Sequence, residues 1–154
     1  MGEETSKLKL PPIEQIGIVV KDLDAAVDYY TNTLGWGPFG FFELDLKDFI
    51  YRGRACNARI RVALSSYDPV QIELIEVLEG ETPHSVFLRE KGEGIQHLCC
   101  RGVDDLDSML ARLARVGIEP VFQGHLAELG VRAAYVVGEK TNGVTLELYE
   151  FRGV

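Results

Sequence analysis

"IEQIGIVVKDLDAAVDYYTNTLG" (residues 13–35) decides the fold, because the chain writes the same plan again as "GIQHLCCRGVDDLDSMLARLARVG" (residues 94–117). Each copy opens as an apolar strand, passes an Asp-rich cap and continues as an amphipathic helix stopping at a glycine, Gly35 or Gly117. Leu23, Val27, Tyr30 and Leu34 fall on one stripe of the first helix, and Leu106, Met109, Leu110 and Leu113 on one stripe of the second. Asp22 or Asp24 is expected to cap the first helix, and Asp104 or Asp105 the second. Three runs of strand character follow each helix: "GPFGFFEL", "ARIRVALSS" and "VQIELIEV", then "IEPVFQG", "VRAAYVVG" and "VTLELYEF". Neither half buries a sheet face alone. The expected fold is therefore α+β: two βαβββ modules, related by a pseudo-twofold axis, forming a cupped mixed sheet with helices on the outside. Residues 13–154 form a single domain, with modules at 13–80 and 95–154 and a linker bearing a short helix at 81–94. Residues 1–12, ending on Pro11 and Pro12, are expected to form a mobile tail.

The last strand of each half carries a carboxylate at its centre. In "GVTLELYEF" (143–151), Val144, Leu146 and Leu148 share one face, leaving Thr145, Glu147 and Tyr149 on the other. "PVQIELIEV" (69–77) puts Glu73 in the same place. The first strands each hold one polar residue in an apolar run, Gln15 and His97. A pseudo-twofold axis brings equivalent positions face to face. If all four point to the concave side, they offer one imidazole, two carboxylates and one amide oxygen. That set suits a divalent cation, with positions left for water or substrate. It also gives mid-strand carboxylates a reason, since buried charge needs a paired charge or a metal. The competing reading is that each polar residue faces solvent or is hydrogen-bonded. Glu76 and Glu150, on the opposite face, are read as carboxylates with no special role.

Composition narrows the classes. The chain has 154 residues, 46% hydrophobic and 26% charged, enough for a sizeable core without staples. Sixteen basic against twenty-four acidic residues give a net charge of −8, which argues against nucleic acid or an anionic membrane as partner. No apolar run is long enough to span a bilayer, and the start lacks the pattern of a signal peptide. Cys56, Cys99 and Cys100 are odd in number and lack C-x-x-C spacing, so a reducing, cytoplasmic setting is expected.

The segments "IGIVVKDLDAAVDYYTNTLGW", "VQIELIEV", "FLREKGEGIQHL", "VDDLDSMLARLARVGI" and "NGVTLELYE" together resemble the vicinal oxygen chelate superfamily, and within it methylmalonyl-CoA epimerases. The resemblance covers nearly the whole chain after the tail. It implies paired βαβββ modules around a metal, with Gln15, Glu73, His97 and Glu147 as ligands. An epimerase would normally have His where this chain has Gln15, and the set Gln, Glu, His, Glu instead resembles that of zinc-type glyoxalase I. Glyoxalase I would in turn place an Arg near Val19 and an Asn near Val77. The second carboxylate of some epimerases would fall near Val62.

In both relatives a divalent ion holds two substrate oxygens, and a carboxylate moves a proton on the adjacent carbon. The resemblance thus implies a metal-dependent isomerase of a small-molecule acyl-CoA thioester, with Glu147 as ligand and proton acceptor and Glu73 as ligand and second acid. The cofactor would be Co, Mn, Ni or Zn, and the superfamily's habit is a homodimer. The alternatives are a glyoxalase I-like lyase of a thiol–aldehyde adduct and a non-catalytic drug-binding or resistance protein. An extradiol dioxygenase fits poorly, since its iron site needs two His and only His97 is at a ligand position. His84 and His125 sit in polar contexts and are read as surface residues. Cys99 shares the His97 face and is read as a small apolar group. Arg52, Arg54, Arg59 and Arg61 are read as solvated strand residues before a CoA phosphate site, and "WGPFGFF" (36–42) as core packing before a pocket wall.

Overall fold

Asp22 and Asp105 are the residues that start the two repeated helices. Asp22 Oδ1 accepts the Ala25 amide and Asp105 Oδ1 the Ser108 amide, both at 3.0 Å, satisfying donors that a helix N-terminus leaves free. The computed structural model describes residues 8–66 and 69–152. Its strands are β1 (Ile13–Val19), β2 (Phe39–Tyr51), β3 (Arg54–Ser65), β4 (Gln71–Glu79), β5 (Gly94–Cys100), β6 (Glu119–Leu126), β7 (Val131–Val137) and β8 (Leu146–Phe151). The helices are α1 (Leu23–Asn32), α2 (Pro83–Lys91) and α3 (Leu106–Ala114). Gly35 and Gly117 follow α1 and α3 with φ of 72° and 82°, a left-handed conformation that costs glycine little.

The eight strands close into one mixed barrel in the order β1-β4-β3-β2-β6-β7-β8-β5. Each half runs first strand, fourth, third, second, and the halves join where β1 meets β5 and β2 meets β6, both antiparallel. The β1–β4 and β5–β8 pairs are parallel. The expected cup is closed because β2 runs for 13 residues, longer than the "GPFGFFEL" segment, so Ile50 and Tyr51 reach Gln123 and Phe122 of β6.

Three apolar clusters follow from this topology. The interior holds Leu44, Leu46, Phe49, Ile60, Val62, Phe122 and Tyr135, among others. Outside, α1 lays Leu23 against Ile72 and Leu74 of β4, while Leu106, Leu110 and Leu113 of α3 cover Ala134, Val136 and Leu148. Leu34, expected on the α1 stripe, lies beyond the helix end and is exposed. Residues 1–7 of the expected tail lie outside the described residues, and Leu8 and Leu10 pack against the α3 cluster.

Glu76 and Glu150 do more than face solvent. Glu76 Oε2 accepts the Leu23 amide, and Glu150 Oε2 accepts the Leu106 amide, so each closing strand grips the first turn of its own module's helix. The negative charge also complements the helix dipole there. Arg152 pairs with Glu150 from the same strand end. Replacing buried Glu150 by Ala leaves the Leu106 amide unpaired and is expected to cost about 1–3 kcal/mol. Urea denaturation would show this as a lower midpoint at unchanged m-value.

Candidate metal centre

The alternation in β8 answers why a carboxylate sits there: both faces of the strand are buried. Leu148 points to α3, whereas Glu147 and Tyr149 point into the barrel. Glu73 on β4 does the same. On β1 and β5, Gln15 and His97 reach the same place. Their fractional exposures are 1% for Gln15, 6% for Glu73, 1% for His97 and 3% for Glu147. His97 Nε2 lies 2.7 Å from Glu147 Oε2, 3.5 Å from Glu73 Oε1 and 3.5 Å from Gln15 Oε1. Ligand atoms of Glu73, His97 and Glu147 all lie within 4.8 Å of one another. The four residues selected from the repeat are thus gathered at one point.

The surrounding contacts orient each donor. Gln15 Nε2 donates to Gln71 Oε1 at 2.8 Å, which turns the Gln15 carbonyl oxygen toward His97. Gln96 Oε1 stands 2.7 Å from His97 Nδ1, placed to accept a proton carried there, and Nε2 faces the carboxylates. Gln96 is able to do this because the β1–β5 register shifts beside it, pairing His97 with Gly17 but Ile95 with Ile18. Such irregularities re-aim side chains near sites.

Four electron-rich atoms therefore converge in a buried space. Glu147 Oε2 is short of Nε2 but has no aligned hydrogen-bond partner. The arrangement calls for a cation, either a proton on Nε2 or a metal ion. The donor set fits a divalent ion, and the Nδ1–Gln96 contact is the outer support a ligating imidazole needs. The electrostatics agree. Burial, then the Glu147 charge, pushes Glu73 up to about 7 against the pull of His97 and Arg101. Burial alone would lower His97, but Glu147 and Glu73 outweigh it and hold the imidazole above its ordinary value.

Beyond the carboxylates lies a chamber inside the barrel. Glu73 and Glu147 form part of its wall, with apolar Leu44, Leu46, Ile60 and Phe122 and polar His84, Tyr135 and Tyr149. Its free volume is about 30 Å³, room for about two waters. Tyr135 lies directly opposite Glu147 in the β7–β8 ladder, and its ring packs on His97 with centroids 5.0 Å apart. Burial, then the charges of Glu147 and Glu73, keep both tyrosine hydroxyls well above their ordinary pKa.

The reading of His84 as a surface residue is overturned. It is 1% exposed and reaches from α2 into the barrel, with Nε2 2.7 Å from Tyr135 Oη and Nδ1 3.2 Å from Thr82 Oγ1. Pro83 starts α2, and the Thr82–Ser85 capping box fixes the turn that aims His84 inward. Burial, then the His97 charge, lowers His84 to about 3 from an ordinary 6.5. A depressed folded-state value means that the neutral imidazole's contribution is complete above about 6.5 and is lost as pH falls toward 3. His84→Gln is therefore expected to flatten the fall of unfolding free energy between those pH values, read by urea titrations of both proteins.

The other weighed residues fall outside the site. His125 is exposed on β6. Cys99 is buried in the interior cluster, where burial raises its thiol. Arg61 makes a two-pronged contact to Asp24, and Arg59 pairs with Glu43. Trp36 stacks on Tyr30, Phe39 packs against the α1 cluster, and Phe41 and Phe42 are exposed. Val62 and Val19 are core residues. Among the described residues no helix is long and apolar enough to cross a membrane.

Comparison with known proteins places this geometry. The uncharacterized protein YqjC of Bacillus subtilis is 28% identical over 143 residues, spanning 92% of this chain and 93% of that protein. The crystal structure of methylmalonyl-CoA epimerase from Mycobacterium tuberculosis is 28% identical, with a TM-score of 0.65 over 94% of this chain and 93% of that one. The Streptomyces coelicolor methylmalonyl-CoA epimerase, in complex with 2-nitronate-propionyl-CoA, shares the fold at 22% identity and a TM-score of 0.61, over 92% of this chain and 97% of that one. A family profile matches residues 14–135, more than half of the chain. With its eight strands curled around a buried carboxylate–histidine–carboxylate group, the chain belongs to the Glyoxalase/Bleomycin resistance protein/Dioxygenase superfamily, the vicinal oxygen chelate proteins.

Proposed function

We propose that the protein is a metal-dependent isomerase that moves a proton on the carbon alpha to a thioester carbonyl, in the manner of a methylmalonyl-CoA epimerase. One observation carries the proposal: Glu73 and Glu147 converge on His97 beside a largely apolar chamber inside the barrel. The likeness to the Mycobacterium tuberculosis epimerase supports the same direction. In this proposal two modules, 13–80 and 95–154 of one domain, are related by a pseudo-twofold axis and each supplies two ligands. A homodimer in the cytoplasm belongs to the same reading.

Gln15 Oε1, Glu73, His97 Nε2 and Glu147 would hold a Co, Mn, Ni or Zn ion. When bound, such an ion supplies Lewis-acid stabilisation of negative charge developing on substrate oxygen. The remaining work falls to the chain. Glu147 accepts the α-proton, and Glu73, on the other side of His97, returns one to the opposite face. Gln71 and Gln96 fix the amide and imidazole so that no reorganisation accompanies the charge shift. The apolar walls exclude water, which strengthens each electrostatic contact inside.

The test is α-proton exchange on methylmalonyl-CoA in D2O with metal-loaded and metal-stripped protein. Metal-dependent deuterium incorporation with racemisation is the expected result. No exchange by protein that holds one metal per chain would remove the acyl-CoA reading. It would favour a glyoxalase I-like lyase of thiol–aldehyde adducts, which the inward-turned Gln15 oxygen supports as the second reading.

A further inference from the structure

The proton transfer proposed above makes no use of His84 or Tyr135, although both are buried in the chamber wall. Their hydrogen-bond inventory has a direction. Thr82 is fully buried, and its Oγ1 already accepts the Ser85 amide, so its hydroxyl hydrogen needs an acceptor. His84 Nδ1, 3.2 Å away, is placed to be that acceptor. A neutral His84 then carries its proton on Nε2 and donates to Tyr135 Oη. Tyr135, having accepted that bond, turns its own hydrogen away from His84, and the space beside it is the chamber. The register sets Tyr135 opposite Glu147, one of the two carboxylates in the chamber wall.

We propose that this chamber is the subsite for the substrate's α-substituent, and that the Tyr135 hydroxyl, oriented by His84, donates a hydrogen bond to an oxygen of the ligand bound beside the two carboxylates. The inference rests on the proposed isomerase function and narrows its substrate class to acyl groups whose α-substituent has one or two carbons. Three features of the chamber set that class. The space admits about two waters' volume, its alkyl-lined side offers Leu44, Leu46 and Ile60 to a short hydrocarbon, and its polar side would repel ligand oxygen through Glu73 and Glu147 without a donor between them. Tyr135 is the residue that touches ligand, and His84 is a positioning residue acting through it.

The test uses binding, so it does not depend on turnover. Cobalt-loaded full-length protein is titrated calorimetrically with methylmalonate, ethylmalonate and tert-butylmalonate. The first two are expected to bind within a few-fold of each other and the third about tenfold or more weakly, since a filled apolar pocket discriminates by volume. Tyr135→Phe keeps the ring against His97 and is expected to retain its cobalt while binding methylmalonate about tenfold more weakly. His84→Gln, whose amide N–H replaces Nε2–H, should stay close to the parent protein. His84→Phe should fall to the level of Tyr135→Phe, a split that a merely structural role would not produce. Equal affinity of Tyr135→Phe and the parent, equal affinity for tert-butylmalonate and methylmalonate, or no binding of any probe by loaded protein would each overturn the inference. If the probes discriminate as expected while no acyl-CoA exchanges its α-proton, the subsite stands and the isomerase reading falls.

Discussion

Glu147→Gln is expected to reduce α-proton exchange on an acyl-CoA by about 10²–10⁴-fold, the usual contribution of a positioned base. The substitution keeps shape and an amide oxygen, so packing beside Tyr135 and Tyr149 inside the barrel is little disturbed. What it removes is the basic lone pair and the charge lying 2.7 Å from His97 Nε2. Gln15, Glu73 and His97 remain, so a divalent ion at saturating concentration still binds, although more weakly. Deuterium incorporation followed by mass spectrometry, together with metal content per chain, separates the two effects. Exchange at the parent rate would show that Glu147 is not the proton acceptor, whatever the metal occupancy. Exchange lost along with all bound metal would show only that the carboxylate is a ligand. The prediction is the split between them.

How far this site was legible in the sequence depended on symmetry. Gln15, Glu73, His97 and Glu147 were visible because each breaks the apolar pattern of a strand at an equivalent place in a repeat, and the structure gathers all four. Each helix cap was visible only as one of two aspartates, Asp22 or Asp24 and Asp104 or Asp105, and the structure selects Asp22 and Asp105. His84 was missed because its surroundings in "ETPHSVFLREKGEG" read as a polar linker, and only the tertiary path of α2 carries that residue into the barrel. Glu76 and Glu150 were dismissed because a carboxylate on the outer face of a strand normally meets water, and helix placement decided otherwise. Gln96 and Gln71 leave no periodic trace, since their jobs come from a register shift and a neighbouring strand. Tyr135, inside "VRAAYVV", looks like any core aromatic. Barrel closure was equally hidden, because the β2–β6 contact is set by two residue pairs at the far end of a long strand.

Gly17 had a signal that is easy to pass over: a glycine inside an apolar strand marks a close approach of something else. Gly17→Ala is the second substitution expected to have a large effect. On β1, Gly17 pairs with Glu73 on one side and with His97 on the other. A methyl group at that position would fall inside the His97 imidazole, overlapping Cε1, Nδ1 and Nε2. The backbone there does not itself require glycine, so the effect is steric. To admit the methyl, the ring must swing away, giving up both the Gln96 contact and its approach to Glu147. Affinity for a divalent ion is expected to fall by about 10–100-fold or more, and unfolding free energy by about 1–3 kcal/mol from overpacking. Gly124→Ala supplies the comparison, since its methyl would overlap the Phe49 ring, an apolar interior group. That variant should lose comparable stability while keeping nearly the parent affinity for metal. If Gly17→Ala also kept it, the imidazole would not be the ligand held where β1 makes room for it. If only Gly17→Ala lost it, the missing side chain on β1 would be as much a part of the centre as the four side chains that converge there.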